Sequence, residues 1–509
     1  MTSEFTFPST GIRTCQAVLL AIDDVSLPLR RNLCVYLSKP TVRPEPVLVP
    51  ERGDPTAPDH YAAFFYGTVL NDGAKFRMWY YGLHRDEAES PNPMIGRTRE
   101  GPICYAESDD GIHWVKPQLG QWMVYNQGRN NGLAFPEYLH AADRATEGAN
   151  LIKEDDDPDP QRRYKMVYES FTETRSWPTM RTATSPDGLH WQSGPDHVIE
   201  DWIEQSSFYR HNGLYYVHGQ MGPKGEGGTP HGRQGFAVVS PDFVHWLPEI
   251  GEGFLLPEPA DPAGRGGRKP YDQVHLGVGA ASFGNVCVGL YCIWHNRPHP
   301  DGREWDWFGQ GSTAGDFGLL VSNDGLYFRE PVKGHVLMHR SDSPAPMLPG
   351  SSKQETILTQ ANGILNVGDE TRIYHGRWAN TEQINDSYSE IALATLPRDR
   401  WGALGLFPDQ AEGTVWSCPV TLPADGCQVV LNADHADDMR VEISDERFSL
   451  LPGFSGATSG TTAIASGLDC PAVWPAGSLA HLAGQTVRFR VQVKRQGASE
   501  PRLYAIYLR

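Results

Sequence analysis

Short apolar runs, rich in β-branched and aromatic side chains, recur along the chain between clusters of Gly, Pro, Asn and Asp. Runs of that length bounded by turn residues predict β-strands, and the 3.6-residue periodicity of amphipathic helices is scarce. Residues 103–107, 181–184, 235–239, 318–321 and 390–394 form one set of such runs. A second set lies upstream, one run before each: 75–81, 164–168, 214–217, 286–291 and 371–374. Turn signals sit beside several of them, as in Asn71-Asp-Gly73, His211-Asn-Gly213 and Val367-Gly-Asp369.

A repeat organises these runs. Ser108-Asp-Asp-Gly-Ile-His-Trp114 recurs as Ser185-Pro-Asp-Gly-Leu-His-Trp191, Ser240-Pro-Asp-Phe-Val-His-Trp246 and Ser322-Asn-Asp-Gly-Leu-Tyr-Phe328. A degenerate fifth copy is Thr395-Leu-Pro-Arg-Asp-Arg-Trp401, and successive copies start 77, 55, 82 and 73 residues apart. Units of that size with about four short strands each predict the blades of a five-bladed β-propeller. Asp and Gly suit a tight turn, Ser can bond the local backbone, and the Trp can pack between blades. His113, His190 and His245 share one repeat position, so they fall on separate blades and cannot converge on a metal ion.

From about Gly413 the repeat stops. Residues 429–432, 439–443, 487–493 and 503–508 alternate like half-buried strands. The chain is therefore expected to be all-β, a five-bladed β-propeller followed by a C-terminal β-sandwich. The expected divisions are 1–50, strands leading into or closing the ring (18–22 and 34–37); 51–410, the propeller; and 411–509, the sandwich.

Composition sharpens this picture. The 53 Gly and 40 Pro of 509 residues make about 18%, against a usual ~12%, as many tight turns require. Net charge is −18, with no basic run longer than Arg30-Arg31 or Arg162-Arg163, so no nucleic-acid partner is expected. No 18-residue apolar run and no signal-like N-terminus are present, so the expectations are no membrane span and a cytoplasmic location. The eight scattered cysteines are expected to be reduced and buried, with Cys418 and Cys427 the one pair that a turn could bring together.

Five repeats of Ser-x-Asp-Gly-x-x-Trp followed by a sandwich resemble the five-bladed propeller glycosidases, similar to families 32, 43, 62 and 68. The layout looks closest to the bacterial proteins described as glycosidase-like from this repeat alone. The resemblance implies a carboxylate pair acting on a sugar in the central funnel. Family 32 carries Trp-Met-Asn-Asp-Pro-Asn-Gly on blade one and Arg-Asp-Pro on blade two. Neither motif is present, and the stretch equivalent to the second reads Gly148-Ala-Asn-Leu-Ile152. Its blade-three acid does have a counterpart: Glu204 stands nine residues before the turn residue Gly213, the same offset.

In a propeller the first strand of each blade lines the funnel, so polar residues opening those strands are the candidates. They are Asp59 and His60; Glu147 and Asn150; Glu204 and Gln205; Asp272, Gln273 and His275; and Gln354, Glu355 and Gln360. Glycoside cleavage needs a raised-pKa acid and a second carboxylate as base or nucleophile. Glu204 is the expected acid. Asp59 is the expected base or nucleophile, because blade one supplies it in the family; Asp54 competes with it. Asp272 could orient the substrate, tune the acid or be the base. Amides and imidazoles suit sugar hydroxyls. The polar segment 295–310 carries Trp305 and Trp307 and reads as a substrate wall. His375 and Arg377 could reach a hydroxyl or an anion.

The expected function is hydrolysis of a small glycoside or oligosaccharide, a furanoside among the options. Two alternatives stay open. One is a phosphorylase or transglycosylase on the same fold, for which Arg233, His375 and Arg377 are phosphate candidates. The other is a non-catalytic carbohydrate-binding propeller. No cofactor and no transition metal are implied: Pro298 and Pro300 prevent a helix from aligning His295 and His299. A calcium ion in the channel and a homo-oligomer are left open. The Gly-rich 219–233 has no GxxxxGK[ST] order, and no Gly-x-Ser-x-Gly elbow occurs.

Overall fold

The computed structural model describes residues 4–85, 98–123, 126–134, 146–170, 179–195, 197–220, 233–256, 273–295, 314–346, 356–379 and 388–509. The fold is all-β. Five antiparallel sheets follow one another along the chain, each built on one copy of the repeat, and one parallel bridge, Gly315 to Ile357, joins the edges of the fourth and fifth. The first holds Ala62–Asn71, Phe76–Arg85 and Thr98–Ser108, with a bridge from Glu107 to Val115. The second holds Thr146–Lys153, Tyr164–Ser170, Thr179–Ser185 and Gln192–Ser193. Glu204–His211, Leu214–Gln220, Gly235–Ser240 and Gly251–Phe254 make the third; Gln273–Ser282, Cys287–His295, Ala314–Ser322 and Val336–Met338 make the fourth. In the fifth, Ile357–Thr359 and Ile364–Val367 share the first position, before Glu370–Ala379 and Tyr388–Pro397. Its outer strand is Thr41–Val42, from upstream of the first sheet.

The first strands of the five sheets are stitched into a circle by polar side chains bonded to neighbouring backbones. Thr68 Oγ1 donates to Ala149 O at 2.9 Å. The Asn150 amide donates to Gly67 O (3.2 Å) and Ser206 O (2.9 Å). Ser206 Oγ reaches Val278 O at 2.9 Å, and the Gln360 amide reaches His275 O and Gly277 O at 2.7 and 2.8 Å. Asn362 closes the circle: its N–H donates to Gly67 O (3.1 Å) and its carbonyl accepts from Val69 N (2.9 Å). Each first strand is irregular where it meets this circle. Register shifts fall at Phe64/Thr68, Glu147/Asn150, Gln205/Ser207 and His275/Gly279, and the fifth strand is interrupted between 359 and 364. Bulges of this kind bend a strand and re-aim the side chains before them.

The repeat turns are structural. In the first copy Ser108 Oγ accepts from Gly111 N at 2.9 Å, and Asp110 Oδ1 accepts from Ile112 N and His113 N, each at 2.8 Å. Each exposed histidine bonds its own aspartate: His113, His190 and His245 all lie 2.7 Å from Asp110, Asp187 and Asp242. Neighbouring sheets grip these turns. Trp79 Nε1 donates to Gly188 O, Tyr374 Oη to Gly111 O, and Tyr216 Oη to Asp324 O. The third copy has Phe243 where the first, second and fourth have Gly, and it keeps the same left-handed backbone, φ 65°. Apolar clusters fill the spaces between neighbouring sheets.

The strands after the repeat stops pair with the strands that begin the chain. Leu29–Arg31 pairs with Glu412–Trp416, and Phe5–Phe7 with Val420–Thr421. Ala17–Leu20 pairs with Arg502–Leu508, and Leu33–Leu37 with Gly402–Leu406. Two sheets result, and their inward residues form one large core that includes Leu19, Val415, Phe489 and Ile506. Residues 18–22 and 34–37, expected to lead into or close the ring, thus bond to C-terminal strands, and Thr41–Val42 joins the ring. A further cluster, Val18, Leu20 and Tyr507 with Val288, Leu319 and Ile373, packs these sheets on the fourth and fifth sheets of the ring. All eight cysteines are free; five are buried and Cys15 is exposed.

Candidate active site

Glu204 opens the first strand of the third sheet, just before the bulge at Gln205/Ser207. Antiparallel register sets Gln220 opposite it, and the Gln220 amide donates to Glu204 Oε2 at 2.5 Å. The third strand of that sheet starts at Gly235, so Arg233 arrives at the same end. Its backbone N–H donates to Gln273 Oε1 at 2.8 Å, and Val274 N donates to Arg233 O at 3.0 Å. This ties the third sheet to the first strand of the fourth, where Arg233 Nη1 lies 3.1 Å from His275 Nδ1. One carboxyl, one guanidinium, one imidazole and two amides therefore converge from two sheets.

Close approach of three strands makes this possible. A Cβ on Gly219 would sit 2.2 Å from Glu204 O, and one on Gly277 would sit 2.3 Å from Gly219 O. Only glycine permits either contact.

The electrostatics follow from burial. Desolvation raises Glu204 above the ordinary carboxylate range, against the opposing pull of Arg233 and of the Gln220 hydrogen bond. Desolvation, with Arg233 beside it, holds His275 well below the usual imidazole range. The ring is therefore neutral near pH 7. A guanidinium only donates, so Nδ1 accepts and the ring proton sits on Nε2, which is buried without a partner among the described residues.

An aromatic wall completes the site. Trp294 meets His275 edge-on at 4.3 Å between centroids, and Arg233 lies 4.9 Å over the Trp294 ring. Trp378 from the fifth sheet packs on His275 at 6.0 Å and on Phe64 at 5.6 Å. Tyr66 and Tyr81 stack behind Phe64 at 6.2 Å, in an apolar cluster that includes Leu276.

The expected site residues divide between this cluster and the frame. Glu204, Gln273 and His275 are in the cluster. Gln205 is buried beside them, its amide against Gly148. Asn150 and Gln360 are stitches of the circle of first strands. Asp59 is fully buried elsewhere: its Oδ2 accepts from Lys116 Nζ (2.6 Å) and Tyr80 Oη (2.7 Å), in the packing of the first sheet. His60 is half-buried near His84, with Nδ1 3.4 Å from Glu51 O. Asp54 caps a turn through Thr56. His375 bonds Ser343 Oγ at 2.7 Å and packs against Phe317. Arg377 donates to the carbonyls of Arg43, Pro44 and Pro344 and pairs with Glu390. Asp272, Trp305, Trp307, Gln354 and Glu355 lie outside the described residues, as does the Glu147 side chain.

Sequence reasoning missed Gln220, Trp294 and Trp378. Trp378 follows Arg377 directly, so strand alternation turns it to the opposite face from His375 and Arg377. That alternation was the available signal. Among the described residues no group of three His, Cys, Asp or Glu could hold a metal ion, and no helix is long and apolar enough to cross a membrane.

No protein-family model matches the chain, and no curated protein does. Solved structures do. A β-1,2-mannobiose phosphorylase from Listeria innocua is 13% identical, over 71% of this chain and 96% of that one, with TM-score 0.42. A family 43 arabinoxylan arabinofuranohydrolase from Bacillus subtilis is 10% identical, over 91% and 98%, with TM-score 0.38. A family 32 β-fructofuranosidase from Bombyx mori is 11% identical, over 92% and 95%, with TM-score 0.37. The likeness is one of fold. At these identities and TM-scores no match assigns a residue or an activity to this chain.

Proposed function

We propose that the five sheets are the blades of a propeller, that the two sheets beside it are a sandwich, and that the Glu204 end of the ring cleaves a glycosidic bond. The observation that carries the reading is Glu204 itself. A carboxyl raised by burial, oriented by an amide and set beside an aromatic wall suits a general acid for a sugar leaving group. The neutral His275, with its proton on Nε2, is a donor for a sugar hydroxyl. Trp378 and Trp294 offer rings for sugar C–H faces. Gln273 is occupied by the Arg233 backbone, so it acts by fixing Arg233.

Glu204 protonates the glycosidic oxygen as the bond breaks and positive charge develops on the sugar ring. Asp272, one residue before Gln273, is the proposed second carboxylate, as base or nucleophile. Asp59 is unsuited to that role because Lys116 and Tyr80 already bond it in the interior.

A second reading, phosphorolysis, is favoured by Arg233, a half-buried guanidinium beside both Glu204 and His275. Aryl glycosides, furanosides first, assayed with and without inorganic phosphate, separate the two. Release of aryl alcohol without phosphate supports hydrolysis. Release only with phosphate, giving a sugar phosphate, supports phosphorolysis. Binding without turnover under either condition would leave a carbohydrate-binding propeller and sink both.

A further inference from the structure

We infer that Gln220 is a positioning residue that confines the acidic proton of Glu204 to Oε1. The inference rests on the reading of Glu204 as the acid. Gln220 is buried, at 1% exposure, and bonds at both ends of its amide. Leu276 N–H approaches its Oε1 at 2.8 Å, and its Nε2 approaches Glu204 Oε2 at 2.5 Å. An amide's two ends look alike in outline, so hydrogen-bond partners decide which way it points. Here the decision is unambiguous. A backbone N–H can only donate, so the Gln220 oxygen must face Leu276 and the nitrogen must face Glu204.

Glu204 Oε2 is then an acceptor. A proton placed on it would meet the Gln220 N–H head-on. In the protonated acid the hydrogen therefore sits on Oε1, and one of the two carboxyl oxygens is selected as donor to the leaving group. The same N–H stabilises the carboxylate left after transfer, so it opposes the burial that raises the group.

Leu276 holds the other end of this arrangement under strain. It has φ 59°, a left-handed backbone that a leucine adopts rarely, and it lies inside the bulge between His275 and Gly279. Its side chain is buried at 1% exposure in the aromatic cluster, which holds the strained turn in place. The bulge brings the Leu276 N–H to Gln220 from the neighbouring sheet, so two sheets jointly fix one proton.

The test is a carboxyl-carbon NMR titration of the full-length protein labelled with [5-13C]glutamate. The Glu204 signal is assigned by its absence in Glu204→Gln. Gln220→Met keeps the shape and removes the donor. Its expected effect is a Glu204 midpoint raised by about one unit, a tenfold higher proton affinity. An unchanged or lowered midpoint in the folded variant overturns the inference. Gln220→Glu, if Gln220→Met does not fold, should make the two carboxyls titrate in two separated steps. A single, unshifted step overturns it equally. The titration needs no turnover. A shifted midpoint with no glycoside cleaved would therefore refute the enzymatic reading alone, and cleavage with an unshifted midpoint would refute the role of Gln220 alone.

Discussion

Asp59 and Glu204 are acidic residues at the approach to first strands of two sheets, and their surroundings are opposite. Asp59 lies wholly inside, its Oδ2 shared by an ammonium and a phenol. Glu204 is half-buried and bonded by a neutral amide, with a guanidinium near it. A buried carboxylate paired with lysine serves as a joint. A buried carboxyl met by an amide keeps a raised affinity for its proton and can deliver it. A bonded ammonium against a bonded amide thus distinguishes the two carboxyls where residue type and strand position do not.

The widest break in that comparison should come from Lys116→Met. It leaves Asp59 buried without its counter-ion, a loss of about 3 kcal/mol or more. Calorimetry should show a markedly lower melting temperature, while turnover per folded molecule stays unchanged. The double variant Asp59→Asn/Lys116→Met should recover much of the stability; a loss as large as that of the single variant would show that the pair is not the joint.

Acid should separate the frame from the site next. His218 stacks on Tyr209 and meets Phe328 edge-on between the third and fourth sheets, and burial lowers it to about 4; His375 is lowered to about 3. Both lie below the ordinary imidazole value of 6.5, so the unfolded chain takes up protons first. Their stabilising effect is whole above about pH 6.5 and is lost as pH falls towards 4. For His218 alone the loss approaches about 3 kcal/mol. His218→Phe should flatten the fall in melting temperature between pH 7 and pH 5, and an unaltered slope would remove His218 as its source. The smallest effect belongs to the wall: Trp378→Phe, which keeps a ring packed on Phe64 and His275, should weaken substrate binding by about 1 kcal/mol, roughly fivefold in KM. No change in KM would take Trp378 out of the site.

The frame was largely legible because its signal is local. Ser-x-Asp-Gly turns and the runs before them are read within a few residues, and the sheets follow their order. The place of Glu204 at the start of the third sheet's first strand was legible through its offset from Gly213. The rest depends on pairing across the chain. Lys116 is 57 residues from Asp59, so nothing near Asp59 announces a buried ion pair. Gln220 reaches Glu204 through hairpin register, and Leu276 reaches Gln220 through a bulge whose backbone angle no leucine advertises. His375 and Arg377 were on the right strand and the wrong face; Trp378 has the right one. Residues 17–20 pair with strand 502–508, so their place beside the C-terminus has no local sign.

The central claim is that Glu204, and not the aspartate at the first sheet, delivers the proton. Glu204→Gln tests it most directly, assayed on a cleaved aryl glycoside series of rising leaving-group pKa, with melting temperature measured in parallel. The account predicts that kcat/KM falls by about a hundredfold or more on poor leaving groups and much less on good ones, which need no acid. It also predicts a melting temperature close to that of the parent. Equal loss across the series, retained activity on the poorest leaving groups, or a collapse in stability would contradict it.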